Sequence, residues 1–314
     1  MLSAFPSLEQ AAGAPAWFDL EDPTEDEVKE VERRTGLRVP TRDALSEVET
    51  SSRIFVEKGA LYLSMPLITP AAGDETVIMP FGFVLTDAVL LTVRFAASAS
   101  VDSVRAGLAP GDKVEADDLF ARILEAMIDR SADRLEHLGA KLDDLSRSTF
   151  RVDKARRRDL AKASNALREV LRNLGVIGDR LSQNRDTLLG LDRISAFVTE
   201  TPHCDISAAV THRIKAVHGD VQSLNSYEAH LSNKVQFLLD ATLGFINIEQ
   251  NDIVKVLTVV SVVGVPPVLV AGIYGMNFKG MPELNWAWGY PYSLVLMVVS
   301  AILPLAWFKW RGWL

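Results

Sequence analysis

Charged and uncharged stretches divide this chain before any fold is considered. Residues 1–255 carry charges throughout, whereas 256–278 and 284–308 carry none. Upstream of the first uncharged stretch, apolar residues recur at Val210, Ile214, Val217, Val221, Leu224, Leu231, Val235 and Leu238. The steps alternate four and three, and only the Glu228 slot is broken. Such spacing predicts a coiled-coil-like helix whose seam needs partners. Proline is absent between Asp205 and Val265, although Gly219, Gly244 and Gly264 occur. A continuous helix over 205–273 would be about 100 Å long. The alternative is two or three helices broken near Gly219 or Gly244, because glycine weakens a helix interior. Segments 117–145 and 159–189 also show helical spacing. These, copies of the same helix in an oligomer, or both, are candidate partners for the seam. The basic run Lys154, Arg156, Arg157 and Arg158 reads as a solvated turn and helix start.

Nearer the N-terminus the period becomes strand-like. Strands are expected over 16–20, 53–56, 60–67, 76–85 and 89–95, with a hairpin turn at Lys58-Gly59. Pro23-Thr24 and the acidic residues after them open a helix over 24–36. Strands followed by long helices predict an α+β domain leading into a helical stalk.

The two uncharged stretches are each long enough to cross a bilayer core of about 30 Å as a helix. A buried hairpin in a soluble protein is the competing reading. Aromatic residues flank both stretches: Trp286, Trp288 and Tyr290 at one end, Trp307, Trp310 and Trp313 at the other. Such belts favour a membrane. The link between the stretches is too short for a domain, so the spans form a hairpin with both chain ends on one side. Lys255 precedes span one, and Lys309 and Arg311 follow span two, while Lys279 and Glu283 balance in the connecting loop. The positive-inside rule then places both termini in the cytoplasm. Pro266 and Pro267 lie within span one, where freed backbone groups need protein or water nearby.

Composition narrows the functions. The net charge of −8 argues against a nucleic-acid partner held by phosphate contacts and fits a surface that attracts cations. A single cysteine, Cys204, allows no internal disulfide and fits a reducing compartment. The first residues, MLSAFPSLEQ, lack the pattern of a cleavable signal peptide. No phosphate loop, zinc-finger spacing or nucleophile elbow occurs, so an enzyme is not expected. His212, His218 and His230 do not share one helical face and read as solvated.

YGMNF at 274–278 closes the first span, and MPEL follows at 281–284. A WGYP stretch opens the second span, and a basic tail ending in WL closes the chain. Together with GFINIEQND and SVVGVPP these resemble the CorA family of magnesium and cobalt channels, closely over 237–314 and in organisation elsewhere. The resemblance implies a homopentameric channel in the cytoplasmic (inner) membrane. First spans line the pore, second spans ring it, and cytoplasmic domains form a funnel. The domains would be an α/β domain over 1–115, a helical hairpin over 116–204, and a stalk with the first span over 205–273. An outer loop over 274–290, the second span over 291–308 and the tail over 309–314 complete the chain.

Gly275, Met276 and Asn277 would then form the selectivity filter at the outer mouth. Magnesium gives up its water reluctantly, so neutral amide oxygens from a ring of Asn277 suit a hydrated ion better than carboxylates. Asn277 is also placed to cap the helix C-terminus. Counting inward at helical spacing gives one face: Gly272, Val268, Val265, Ser261, Thr258 or Leu257, Val254 and Asn251. Any helix has such a face; Leu257 and Asn251 match the family's pore positions. Lys279 stands where the family carries an acidic residue, leaving Glu283 as the compensating charge of the outer loop. Asp220 and Asp240 are candidates for a regulatory magnesium site. Cobalt and nickel are further candidate substrates. A zinc transporter of the same superfamily and a non-conducting, membrane-anchored coiled-coil sensor or scaffold are the alternatives.

Overall fold

The computed structural model describes residues 1–6, 16–47, 49, 53–70, 76–109, 112, 114–155, 160–200, 206–276 and 280–313, without the side chains of 151–155, 160–164, 284 and 285. The chain forms two compact units. One comprises Met1–Ser148 and Val170–Leu239, the other Thr149–Glu169 and Asp240–Leu314.

The first unit holds a six-stranded sheet. Its strands are β1 (Leu2–Phe5), β2 (Trp17–Glu21), β3 (Ile54–Glu57), β4 (Ala60–Pro70), β5 (Thr76–Leu85) and β6 (Leu90–Arg94). Their order is β1-β2-β6-β5-β4-β3. Only β2 and β6 pair in parallel; the other neighbours are antiparallel. Both faces are covered, which explains why β4 reads as a nearly unbroken apolar run. Leu61, Leu63, Met65 and Leu67 of β4 join Phe81, Phe83 and Leu85 of β5 in the larger core. Ala60, Tyr62 and Val84 join Phe18, Leu20, Leu91 and Val93 in the smaller one.

The smaller core is closed by Val31 of α1 (Glu25–Thr35) and Leu45 of α2 (Arg42–Ser46). Thr24 and Glu27 form a reciprocal capping box at the start of α1, and Gly36 ends it in the left-handed region at φ 70°. The Thr24 backbone N–H, bonded to Glu27, holds that carboxyl below the usual glutamate range. Strands and helix thus fall where the apolar pattern places them, within a residue or two at most ends. β1 is the strand the pattern missed.

The short helix α3 (Ala99–Ala106) leads to three long helices, α4 (Ala116–Ala155), α5 (Leu160–Glu200) and α6 (Ala208–Tyr274). Within the first unit, residues 116–142 of α4, 170–198 of α5 and 210–238 of α6 share the larger core. The stalk seam therefore has partners inside its own chain. Val210, Ile214, Val217, Val221, Leu231, Val235 and Leu238 are buried. Glycine does not break α6 at 219, 244 or 264, and Pro266 and Pro267 lie inside it. Ion pairs from Arg213 to Asp118 and Glu125, and from Lys234 to Asp143, tie α6 to α4 in parallel. The hydrogen bonds that Arg213 donates, to Glu125 first and then to Asp118, raise its already high pKa. Arg156, Arg157 and Arg158 of the basic run lie outside the described residues.

Asp19, on the parallel pair of strands, anchors a buried polar network. Arg94 Nη2 lies 2.9 Å from Asp19 Oδ2, 3.0 Å from Glu21 Oε2 and 3.0 Å from Asp102 Oδ1. Arg105 pairs with the same Asp19 carboxylate. Trp17 Nε1 donates to Thr92 Oγ1 at 3.0 Å, and Thr92 Oγ1 donates to Asp19 Oδ1 at 2.7 Å. The network joins β2 and β6 to α3.

Candidate ion pathway

In the second unit, α6 runs from Asp240 to Tyr274 and α7 spans Gly289–Trp310. These are the two described helices long and apolar enough to cross a membrane. In the single chain their apolar surface is largely uncovered. Val254, Leu257, Val265 and Val268 on α6 are each more than half exposed, Val268 at 71%. Large apolar side chains do not stay in water at this density, so lipid or protein must cover them.

The exposure is not uniform around the helix. Lys255, Val259, Val263, Pro266, Val270 and Tyr274 are half-covered in the single chain. They recur at steps of three or four and form one face. At about 100° per residue the opposite face is 254, 257, 261, 265, 268 and 272. Those residues, together with Asn251, are exposed. So the structure brings together on one open face all but one of the positions expected to line a pore. Thr258 is the exception. It turns toward the half-covered side, and its hydroxyl donates to the Val254 carbonyl at 2.8 Å. Leu257, 66% exposed, takes the place on the open face.

An apolar groove of about 650 Å³ runs beside this face, lined by Val265, Val268, Gly272 and Met276 among others. Gly264 also lines it, a position for which the apolar pattern carried no signal.

α6 ends at Tyr274. The Gly275 N–H donates to Ala271 O at 2.9 Å and the Met276 N–H to Ile273 O at 3.3 Å, so the backbone of the expected filter begins as a tightening last turn. Asn277 and Lys279 lie outside the described residues. The outer loop resumes in a 3-10 turn, Pro282–Asn285, with Glu283 exposed. Gly289 closes the loop. Its N–H donates to Trp286 O at 2.9 Å, and a Cβ there would lie 2.1 Å from Glu283 O. Only glycine fits so close a backbone approach, which gives a physical reason for the glycine in WGYP. Trp286 and Tyr292 sit with ring centroids 5.9 Å apart at the same end. At the far end of α7, Phe308 packs against Trp307 and Trp313, and Arg311 lies over the Trp307 ring.

Asp220 and Asp240 are both exposed on α6, Asp220 in the first unit and Asp240 in the second. Among the described residues, no three His, Cys, Asp or Glu side chains converge as metal ligands. The histidines are not all simply solvated. His218 Nδ1 lies 3.3 Å from Asp192 Oδ1 and 3.2 Å from Ser195 Oγ on α5, and His230 stacks on Tyr227. The expectation for His218 fails because its partners are distant in sequence.

Comparison with known proteins agrees with this architecture. The family model described as CorA-like Mg2+ transporter protein matches residues 13–310. The magnesium transport protein CorA of Escherichia coli strain K12 is 31% identical over 300 residues, covering 95% of this chain and 92% of the relative. The protein of the same name from Yersinia pseudotuberculosis is 32% identical over the same shares. Among solved structures, the complete CorA magnesium transporter from Methanocaldococcus jannaschii superposes with a TM-score of 0.76 at 19% identity, over 100% of this chain and 98% of that one. The ZntB cytoplasmic domain from Vibrio parahaemolyticus shares the fold at a TM-score of 0.55 and 14% identity, over 74% of this chain and 87% of that one. An α/β unit, one long helix running into the first of two apolar C-terminal helices, and a family match across nearly the whole sequence lead to one assignment: the chain belongs to the CorA-like Mg2+ transporter family.

Proposed function

We propose that this protein is a magnesium channel of the cytoplasmic (inner) membrane, acting as a homopentamer and admitting Mg2+ to the cytoplasm. Its family membership makes it a divalent-cation transporter and not an enzyme. The observation that carries the pore reading is the open face of α6. One side of the helix is half-covered within its own chain, whereas the residues of the opposite side, Asn251 to Gly272, are exposed, which suits a face turned to copies of itself and to the ion.

In this reading five α6 helices surround the pathway and five α7 helices form the lipid-facing ring. Charge placement around the spans puts the N-terminal unit and the C-terminal tail in the cytoplasm. Gly275, Met276 and Asn277 form the outer mouth. The amide oxygens of Asn277 hold the ion with its first water shell, which avoids the dehydration that Mg2+ resists. Leu257, Val265 and Val268 give an apolar constriction that closes by dewetting. Asn251 offers a second amide ring at the inner end. Magnesium bound on the cytoplasmic side closes the pore, with Asp220 and Asp240 as the positions to test.

Uptake into liposomes loaded with a magnesium-sensitive dye tests the proposal, with zinc, cobalt and nickel measured in parallel. Magnesium entry blocked by hexa-amminecobalt, a stable mimic of the hydrated ion, is the expected result. Zinc entry without magnesium entry would assign the chain to zinc transport. Entry of no ion would return it to a membrane-anchored scaffold.

A further inference from the structure

The stalk seam carries one carboxylate. Glu228 occupies the slot between Leu224 and Leu231 and is only 3% exposed. Its hydrogen-bond partner is on its own helix, where Ser232 Oγ donates to Glu228 Oε1 at 2.7 Å. α5 has a matching break. Asn184 fills the slot between the buried Leu181 and Leu188 and is fully buried. Neither its Oδ1 nor its Nδ2 has a hydrogen-bond partner, and the buried Thr187 Oγ1 one turn along also lacks one.

Contacts along the seam place the two breaks at one level. Ser195 Oγ lies 3.2 Å from His218 Nδ1, and Gln222 Nε2 donates to Asp192 Oδ1 at 2.7 Å. Farther along, a Cβ on Gly178 would meet Val235 Cγ1 at 3.8 Å. Residue numbers on α5 fall as those on α6 rise, one for one, so the helices are antiparallel and Asn184 stands level with Glu228. A buried amide with no partner and a buried carboxylate bonded within its own helix thus share one layer of an otherwise apolar seam. Polar residues at single core slots specify register, and a carboxylate is a stronger acceptor than a neutral group.

We propose that Glu228 is the shared acceptor of a hydrogen-bond exchange between α5 and α6. In the arrangement seen here it accepts from Ser232 of its own helix. In the second arrangement it accepts from Asn184 Nδ2 across the seam, and the two helices are tied at that layer. Two discrete bonded settings are what a packed element needs to respond to a distant signal. If the channel reading holds, the exchange gives the stalk two settings against α5, one for each conduction state.

Thermal unfolding of the full chain in detergent tests the exchange without measuring transport, so failure of the channel reading leaves the result intact. The variants are Ser232→Ala, Asn184→Leu and their combination, repeated in a Glu228→Leu background. Leucine already flanks both altered slots, so the replacements preserve packing. No hydrogen bond joins Ser232 to Asn184. Each single change leaves Glu228 one donor, whereas the double change removes both. The double variant should therefore unfold several degrees below the sum of the single effects, and this excess should vanish when Glu228 is leucine. Additive effects in the native background, or an excess that persists without Glu228, would overturn the proposal.

Discussion

Asp19 shows what a buried charge requires in this protein. At 2% exposure its carboxylate accepts from Thr92 and faces both Arg94 and Arg105. Replacing Asp19 with Asn keeps the shape but leaves Arg94 buried with less compensation. Breaking such a pair costs about 3–5 kcal/mol, so urea unfolding of Asp19→Asn should show a loss of that order. Glu30→Gln, at an exposed pair with Arg33 and Arg34, should change stability little. Equal losses from both changes would mean that burial does not set the value of these pairs. None of this was legible at the residue level, because Asp19 is one polar letter in WFDLE and its partner Arg94 lies 75 positions away. His218 was misread for the same reason. The filter triplet was legible only as a motif in context, since nothing in Gly-Met-Asn by itself distinguishes a pore mouth from a helix cap.

Periodicity carried further for whole elements. The heptad steps from Val210 to Leu238 describe a real buried seam, and the absence of proline before Val265 corresponds to an unbroken α6. Gly219 and Gly244 were weak evidence for a break, because packing against α4 and α5 in the first unit and continuity of backbone bonds outweigh glycine's cost of about 1 kcal/mol. β1 escaped notice since four residues are too few to show alternation. In the second unit the sequence pattern alone could not say which side of α6 is free, because nearly every residue of 256–273 is apolar. The half-covered stripe at Val259, Val263 and Val270 marks the one side that the chain itself covers. Single cysteines at Val254, Leu257, Ser261, Val265 and Val268, with Cys204 replaced, should react with a water-soluble thiol reagent and reduce ion uptake. Cysteines at Val259, Val263 and Val270 should resist it. Equal reactivity on both faces would contradict the pore orientation.

At the scale of the molecule, the two units differ in how far their apolar surface is closed. The first has closed cores on both faces of the sheet, whereas the second leaves apolar helix surface open. That contrast is what a membrane protein built from several copies should show, with lipid on one side of each span and neighbours or the pathway on the other. It also explains why composition as a whole, 48% apolar and 24% charged, reads as an ordinary globular protein: the charge-rich first unit dominates the average. The central claim is that hydrated magnesium passes through a mouth formed by Asn277. The most direct measurement is magnesium uptake into liposomes by the native protein and by Asn277→Ala at equal incorporation. The account expects uptake by the native protein and a loss of tenfold or more in the variant, on the order of the effect of one charge-assisted bond lost at an ion site. Undiminished magnesium uptake by Asn277→Ala would contradict it.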